Sequence, residues 1–167
     1  KWRARTLALS GPSFAREIMM EQPTAVVLAG TDETLVDRIA RLLFCDSFRA
    51  YASPDVMGVE LGGALKNVMA IAAGALSGMG LGDNTRAALV TRGVAEITRM
   101  AVARGANPLT LAGLAGVGDL VLTCTGALSR NRAVGQALGE GKTLEEALRE
   151  ARGVAEGVRT TLAAKAL

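Results

Sequence analysis

Residues 56–79 read VMGVELGGALKNVMAIAAGALSGM, and this stretch decides the fold class of the chain. Its charged side chains are Glu60 and Lys66, and its apolar residues cover every side of a helix. A helix that is apolar all round is typical of the buried member of a helical bundle. We therefore predict a core helix here. Glycines within it favour close backbone contacts or ligand loops; they include Gly58, Gly62, Gly63 and Gly74.

The segment before Asp55 has a different pattern, in which short strands alternate with a helix. The β-like runs cover residues 6–9, 25–29 and 48–52. An amphipathic helix over residues 32–44 separates the last two runs. This alternation is typical of α/β proteins. We therefore predict a strand-containing α/β edge over residues 1–54 and a mainly all-α domain over residues 55–167.

Capping signals predict further helices after this core helix. One runs over residues 84–104 and is ended by a glycine. The pair Asn107-Pro108 has the cap-then-proline order of another helix start. Thr143 and Glu146 form a capping box that opens an amphipathic helix.

Composition excludes several classes of function. The 19 basic and 16 acidic residues are spread along the whole chain, so we expect no nucleic acid partner. The chain has no histidine, and Cys45 and Cys124 lie far apart, so we predict neither a metal site nor a disulfide framework. No uninterrupted apolar run reaches the roughly 18 residues that span a bilayer, and we expect no membrane span. The expected location is the cytoplasm, which is reducing.

Lys66 is the first candidate for chemistry, because it is a lone ammonium in an otherwise nearly uncharged helix. Burying an unpaired charge is costly, so such a lysine must pair, reach solvent or lower its pKa. A lysine with a lowered pKa is a competent general acid or base. The alternative is a lysine that only reaches the helix surface.

Two glycine turns carry further candidates. The turn over residues 10–13 (SGPS) follows a β-like run and offers hydroxyl and backbone donors, at the end of a strand where α/β sheets bind ligands. The turn over residues 113–119 (GLAGVGD) ends in the carboxylate of Asp119. We reject a nucleotide-binding loop there, because no adequate strand precedes it. The alternatives are a plain turn and a helix–helix corner capped by Asp119.

Ser129, Arg130 and Asn131 are adjacent at a predicted helix start. A hydroxyl, a guanidinium and an amide in this position form a plausible phosphate cradle, since helix amino termini and arginine forks favour dianions. A capped helix with solvated arginines is the alternative. Glu156 lies between two glycine-containing flanks and by itself indicates little.

Taken together, these segments closely resemble bacterial-type NAD(P)-dependent glycerol-3-phosphate dehydrogenases. The matching stretches are LSGPSFA (residues 9–15), DVMGVELGGALKNVMAIAAG (55–74), GDNTRAALVTRG (82–93), GLAGVGDLVLTCTG (113–126), SRNRAVG (129–135) and VAEGV (154–158). They extend over nearly the whole chain and are far more specific jointly than singly.

The resemblance implies a role for each candidate. Lys66 would be the catalytic proton donor and acceptor at the carbon that exchanges a hydride with nicotinamide. The residues implied to bind the substrate are Gly11, Ser13, Lys66, Asp119, Ser129, Arg130 and Asn131. The residues implied to contact the cofactor are Ala15, Arg130, Val154 and Glu156. The cofactor, NADP or NAD, would supply the hydride, and the protein would supply position and electrostatics.

The chain also departs from the family pattern. The family begins with a glycine-rich Rossmann fingerprint and has a further substrate-contacting lysine, and residues 1–9 match neither. The family also continues with more helix past the region of Leu167. We therefore expect a fragment truncated at both ends. It would join the edge of a Rossmann-type domain to a helical domain like the carboxyl-terminal one of 6-phosphogluconate dehydrogenase. Most of the cofactor would be bound by the missing amino-terminal region, and the fragment alone would be inactive.

The expected reaction is the reversible reduction of dihydroxyacetone phosphate to glycerol 3-phosphate, for phospholipid synthesis, with a homodimer as a possible assembly. One alternative is a non-catalytic helical module for dimerisation or for binding a phosphate ligand. Another is a related β-hydroxyacid-type dehydrogenase. The segments at residues 113–119 and 129–131 argue against the latter, because a carboxylate substrate does not need polyol and phosphate contacts.

Overall fold

The computed structural model describes residues 6–151 and 153–165. Its strands are β1 (Ala8–Ser10), β2 (Thr24–Ala29) and β3 (Phe48–Ser53). Its helices are α1 (Ala15–Met19), α2 (Glu33–Leu43), α3 (Val56–Gly78), α4 (Asp83–Val102), α5 (Pro108–Ala112), α6 (Asp119–Thr125), α7 (Arg130–Gly139), α8 (Leu144–Glu150) and α9 (Glu156–Lys165). A π-helical turn over Leu114–Gly118 directly precedes α6. Residues 1–5, which begin the first predicted domain and the unmatched amino-terminal segment, lie outside the described residues. Residues 166 and 167, which end the second predicted domain, lie outside them as well.

The strands form a three-stranded mixed sheet in the order β1-β2-β3. Strand β1 is antiparallel to β2, with Ala8 opposite Ala29, and β2 is parallel to β3, with Val27 opposite Tyr51. Helix α2 connects the two parallel strands and packs against β3, which makes a βαβ unit. The strands predicted from sequence are therefore confirmed, with ends that differ by one or two residues.

Local capping explains where several helices begin. The Asp32 carboxylate accepts a hydrogen bond from the backbone N–H of Leu35 at the start of α2 (3.0 Å). The Asn107 side chain does the same for Leu109 at the start of α5 (2.9 Å). Both hydrogen bonds of the predicted capping box form at the start of α8: the Thr143 hydroxyl oxygen accepts from the Glu146 backbone N–H, and the Glu146 carboxylate accepts from the Thr143 backbone N–H. Each cap provides a partner for a backbone N–H that the helix itself cannot satisfy.

The chain divides into two compact units. The first comprises Lys1–Gly63 and Thr98–Asp119, and the second comprises Ala64–Ile97 and Leu120–Leu167. The division falls within α3 and α4, so both helices contribute residues to each unit. The domain boundary that the sequence predicts after residue 54 stays a prediction.

The core of the first unit lies beside the sheet. Ala29, Val59 and Ala115 are fully buried together, and Val27 and Val56 pack against them. Strand β2, the first turns of α3 and the π-helical turn thus share one apolar cluster. This cluster places the end of β1 close to the glycines of α3, where a Cβ at Gly63 would lie 2.8 Å from the Ser10 hydroxyl oxygen.

In the second unit, α3 and α7 approach each other through glycine. A Cβ at Gly74 of α3 would overlap the backbone of Arg132, and one at Gly135 of α7 would overlap the carbonyl of Ile71. Only a residue without a side chain permits backbones to come so close. The predicted close contact of the glycine-containing core helix is therefore confirmed at Gly74.

Helix α3 is 23 residues long, and by length and composition alone it could cross a membrane. A core helix of a soluble protein has the same properties. Its glycine contacts with α7 are protein packing. We therefore assign α3 to the protein core.

The segment 113–119 differs from its sequence interpretation as a glycine-rich turn or a helix–helix corner capped by Asp119. It forms a five-residue π-helical turn that runs without a break into α6, with Asp119 as the first residue of that helix. Gly116 permits this wider turn, because a Cβ there would overlap the backbone of Leu111. The short helix α1 and the helix α9 were not predicted, since neither shows a strong capping signal or a long apolar period in the sequence.

Candidate functional site

Asp119 organises a group of polar residues in the first unit. Its side chain is 2% exposed, and its Oδ2 accepts hydrogen bonds from the Ser10 hydroxyl and from the backbone N–H of Gly11, both at 3.1 Å. The predicted residues Gly11 and Asp119 are therefore in direct contact. Ser10, which lies in the predicted turn but was not among the residues implied to bind the substrate, is the third member of this group.

The turn that follows β1 has a backbone that only glycine adopts readily. Gly11 has a φ of 150°, and a Cβ there would lie 2.9 Å from the Cα of Val26. Ser13, also predicted, donates its hydroxyl to the carbonyl of Gly11 (2.9 Å) and closes the turn. The turn therefore holds Gly11 and Ser13 next to one another, and Asp119 fixes its position.

Lys66 lies in the middle of α3, at the start of the second unit. Its side chain is half-buried. The next residue, Asn67, accepts a hydrogen bond at its Oδ1 from the Nδ2 of Asn131, across 3.0 Å. Since Lys66 and Arg130 each immediately precede one of these two asparagines, this bond brings the segments that carry the ammonium and the guanidinium together.

Asn131 also contacts α9. Its Oδ1 accepts a hydrogen bond from the backbone N–H of Gly157 (2.9 Å), and the residue is 5% exposed. Both the oxygen and the nitrogen of the side-chain amide of Asn131, a predicted substrate residue, therefore form hydrogen bonds within the protein. Asn67 and Gly157 were missed in the sequence, because nothing local marks residues whose partners are 64 and 26 positions away.

Ser129 caps α7. Its hydroxyl oxygen accepts a hydrogen bond from the backbone N–H of Arg132 (3.2 Å), and the residue is 4% exposed. Thr123 and Cys124, a few residues before Ser129 in the sequence, are also buried. Burial raises the pKa of the Cys124 thiol to about 12. The capped-helix interpretation of Ser129 is thus confirmed, and it does not exclude a ligand at the same helix start.

The cofactor residues predicted in the second unit lie at the starts of α7 and α9. Arg130 Nη2 and Glu156 Oε1 are 3.4 Å apart, and each side chain is about half exposed, at 50% and 52%. Val154 is 65% exposed, just before α9. The fourth predicted residue, Ala15, is the exposed first residue of α1 in the first unit. The structure therefore groups Arg130 with Glu156, whereas Ala15 belongs to the other unit.

The described residues contain no cluster of three or more His, Cys, Asp or Glu side chains that could hold a metal ion. Every buried side-chain nitrogen or oxygen among them has a hydrogen-bond partner. The polar residues buried in these groups are thus paired through specific hydrogen bonds. Together with the partly exposed residues, the groups offer an ammonium, a guanidinium, carboxylates, hydroxyls and amides.

A strand-containing segment followed by a mainly helical chain places this protein in the class of α/β folds with an appended all-α domain. A family model described as the NAD-dependent glycerol-3-phosphate dehydrogenase C-terminus matches residues 55–167. The chain belongs to this family.

Curated relatives agree with this assignment. A glycerol-3-phosphate dehydrogenase [NAD(P)+] from Citrifermentans bemidjiense is 63% identical over 154 residues, which are 92% of this chain and 46% of that protein. One from Pelotomaculum thermopropionicum is 56% identical over 163 residues, or 98% of this chain and 47% of that protein. The chain therefore spans about half the length of these relatives.

Solved structures of similar proteins share the fold. The glycerol-3-phosphate dehydrogenase of Coxiella burnetii superposes with a TM-score of 0.94 at 45% identity, covering 96% of this chain and 49% of that one. The enzyme from Saccharomyces cerevisiae gives a TM-score of 0.79 at 29% identity, with 91% and 47% covered. The arrangement of strands and helices described above is thus that of glycerol-3-phosphate dehydrogenases.

Proposed function

We propose that this chain is the catalytic and substrate-binding part of an enzyme that reversibly reduces dihydroxyacetone phosphate to glycerol 3-phosphate with NADPH or NADH. The observation that carries the proposal is the hydrogen bond between Asn131 and Asn67 (3.0 Å). It joins the segment bearing Lys66 to the segment bearing Arg130, so a proton donor and a phosphate-binding cation belong to one arrangement of helices. The relatives named above support the same reaction.

Lys66 is the acid–base group of the proposed mechanism. When bound, the nicotinamide of the cofactor supplies the hydride that reaches the carbonyl carbon. Reduction leaves a negative charge on the former carbonyl oxygen, and the Lys66 ammonium donates a proton to it. In the reverse direction the neutral lysine accepts the hydroxyl proton. One group can do both because the two directions share a transition state.

The start of α7 is the proposed phosphate site. Ser129, Arg130 and Asn131 lie at the first turn of a ten-residue helix, where backbone N–H groups and the helix dipole favour an anion. The guanidinium of Arg130 adds a charged donor that is half exposed and therefore reachable by a ligand. These features favour a phosphorylated substrate over a carboxylate.

Gly11, Ser13 and Asp119 are proposed to contact the rest of the substrate. The turn over residues 10–13 offers hydroxyl and backbone groups, and Asp119 holds it through two hydrogen bonds. A carboxylate also accepts hydrogen bonds from substrate hydroxyls. This is the polar environment that a three-carbon polyol requires.

The residues present fit part of a dinucleotide. Arg130 can pair with a phosphate, Glu156 forms an ion pair with Arg130, and the exposed Val154 lies just before α9 and can offer an apolar contact. Ala15 offers an exposed backbone in the first unit. Such contacts cover only a small part of NADP or NAD, so we propose that residues outside this chain bind most of it. A cytoplasmic location, a homodimeric assembly and a role in phospholipid synthesis belong to the same proposal.

The test uses the full-length protein that contains this chain. Oxidation of NADPH and of NADH is followed with dihydroxyacetone phosphate for the wild type, Lys66→Ala and Lys142→Ala. Loss of a general acid lowers turnover by roughly 10²–10⁴-fold, so we expect this loss for Lys66→Ala. Lys142 pairs with Glu150 at 2.7 Å on the surface, and its variant should retain the wild-type rate.

Two results would contradict the proposal. A folded wild-type protein that oxidises neither cofactor would favour the phosphate-binding module. Activity with β-hydroxyacids but not with dihydroxyacetone phosphate would favour the other dehydrogenase class.

A further inference from the structure

The two asparagines and the start of α9 form a chain of hydrogen bonds with a defined direction. We call the Gly157 N–H, the Asn131 amide and the Asn67 amide the amide relay. A backbone N–H can only donate, so the oxygen of Asn131 must face Gly157, and its nitrogen must face Asn67. The orientation of both side-chain amides is therefore set by one backbone group.

The amide relay also depends on a close approach of backbones. A Cβ at Gly157 would lie 2.6 Å from the carbonyl oxygen of Asn67 and 2.8 Å from Oδ1 of Asn131. These distances are too short for any side chain. Gly157 thus allows the first turn of α9 to rest directly on α3 and α7, with Asn131 buried between them.

Each residue joined in this way directly follows one of the proposed functional residues. Asn67 follows Lys66, Asn131 follows Arg130, and Gly157 follows Glu156. Arg130 and Glu156 form an ion pair, so the starts of α7 and α9 are linked twice. A shift of α9 away from α3 and α7 would break the relay.

We propose that Asn67 is a positioning residue for the reaction, acting through the amide relay to hold Lys66, Arg130 and Glu156 in register. This inference rests on the proposed function. Asn67 need not touch the substrate for this role. Because a misplacement of about 1 Å at a reacting centre can reduce turnover by about 10²-fold, the relay should affect kcat more than KM.

The experiment compares three variants of the full-length enzyme. Asn67→Leu has the same branched shape, a larger side chain and no acceptor. Asn67→Ala is smaller and leaves room for a water molecule beside Asn131, which protects the fold. Asn67→Asp keeps an acceptor oxygen of the same size. Because its added charge can change the pH dependence of turnover, each variant is compared at its own optimum in a pH profile.

We expect kcat to fall at least 10-fold in Asn67→Leu and Asn67→Ala, with KM for dihydroxyacetone phosphate changed less than 3-fold. Asn67→Asp should retain kcat within about 3-fold of the wild type. Hydrogen exchange at the Gly157 amide should quicken in the first two variants and not in the third. This exchange measurement needs no activity.

Three outcomes separate the possibilities. An active wild type with folded and fully active Asn67→Ala and Asn67→Leu overturns this inference alone. A change confined to KM overturns it as well, because Asn67 would then be a binding contact. A folded wild type that does not reduce dihydroxyacetone phosphate instead overturns the proposed function, and this inference with it.

Discussion

Asp119 shows how much one buried side chain can depend on its partners. It is 2% exposed and accepts hydrogen bonds from Ser10 and Gly11 at the same oxygen. Hydrogen bonds to charged groups contribute about 1.5–3 kcal/mol each, and a buried donor left without a partner costs a similar amount. We expect Asp119→Ala to lower the free energy of unfolding by about 2–4 kcal/mol, measured by urea denaturation.

Asp119→Asn is the matched control for this prediction. It keeps an oxygen that can accept both hydrogen bonds, and it removes the charge by replacing the other carboxylate oxygen with an NH₂ group. Its loss of unfolding free energy should be clearly smaller than that of Asp119→Ala. Equal losses would show that the charge, and not the two hydrogen bonds, determines the contribution of this residue.

Asp55 predicts a pH dependence of stability. Burial by itself would raise the pKa of its carboxyl, but hydrogen bonds from the Thr110 side chain and from the backbone of Gly58 and Asn107 outweigh burial and lower the pKa below its usual value. The backbone nitrogen of Gly58 lies 2.9 Å from Oδ1 of Asp55, and that of Asn107 lies 2.9 Å from Oδ2. The folded state thus favours the ionised form. The ionised Asp55 carboxylate therefore adds to the free energy of unfolding above the unfolded pKa of about 3.9. This stabilisation is lost as the pH falls through the lower pKa of the folded state.

The measurement compares urea unfolding of the wild type and Asp55→Asn between neutral pH and about pH 3. The wild type should be more stable at neutral pH, and the difference should shrink as the pH is lowered. A difference that stays constant over this range would mean that the ionised carboxylate is not the stabilising species.

At the scale of elements, the contact between α3 and α7 depends on glycine. A Cβ at Gly135 would overlap the backbone of Ile71, and a helix backbone cannot move away without disturbing its own packing. Overpacking of this kind costs about 1–3 kcal/mol, more than the roughly 1 kcal/mol that alanine gains in helix propensity. We expect Gly135→Ala to lower the melting temperature.

Gly82 offers the control for this variant. It lies outside the helices, its added Cβ would meet no atom within 4 Å, and its φ is not in the left-handed region. Gly82→Ala should be neutral or slightly stabilising, since it reduces the freedom of the unfolded chain. If the melting temperature of Gly135→Ala is not lower than that of Gly82→Ala, the described close approach of α3 and α7 is wrong.

For the whole molecule, the two cysteines predict a simple test of the native structure. Cys124 is fully buried, and burial raises the pKa of its thiol to about 12. Cys45 is exposed, and hydrogen bonds from the backbone and side chain of Ser47 lower its pKa. Because the thiolate is the reactive form, one thiol should react with an alkylating reagent at pH 8 in the native protein, and the other only in denaturant.

Mass spectrometry after alkylation identifies the labelled residue. Cys45→Ser should leave no thiol that reacts in the native state, and unfolding should then expose a single site. Rapid labelling of Cys124 in the folded protein would contradict the burial of α6 in its unit.

Local signals were sufficient for much of the fold. The caps at Asn107 and Thr143 were readable because each side chain bonds to a backbone N–H two or three residues away. The strands and the apolar helix α3 were readable because their side-chain periods differ. The π-helical turn was not, since its geometry depends on how Gly116 meets Leu111.

The family, the strands, most of the longer helices and the residues that carry charge and hydroxyl groups follow from the sequence alone, since these depend on residue type and on neighbours a few positions away. Only the tertiary structure decided that Ser10 and Asn67 belong with the predicted residues. Their hydrogen bonds to Asp119 and Asn131 join positions 109 and 64 residues apart. Such pairings follow from how helices and strands pack, because a buried polar atom must find whichever partner the fold brings to it.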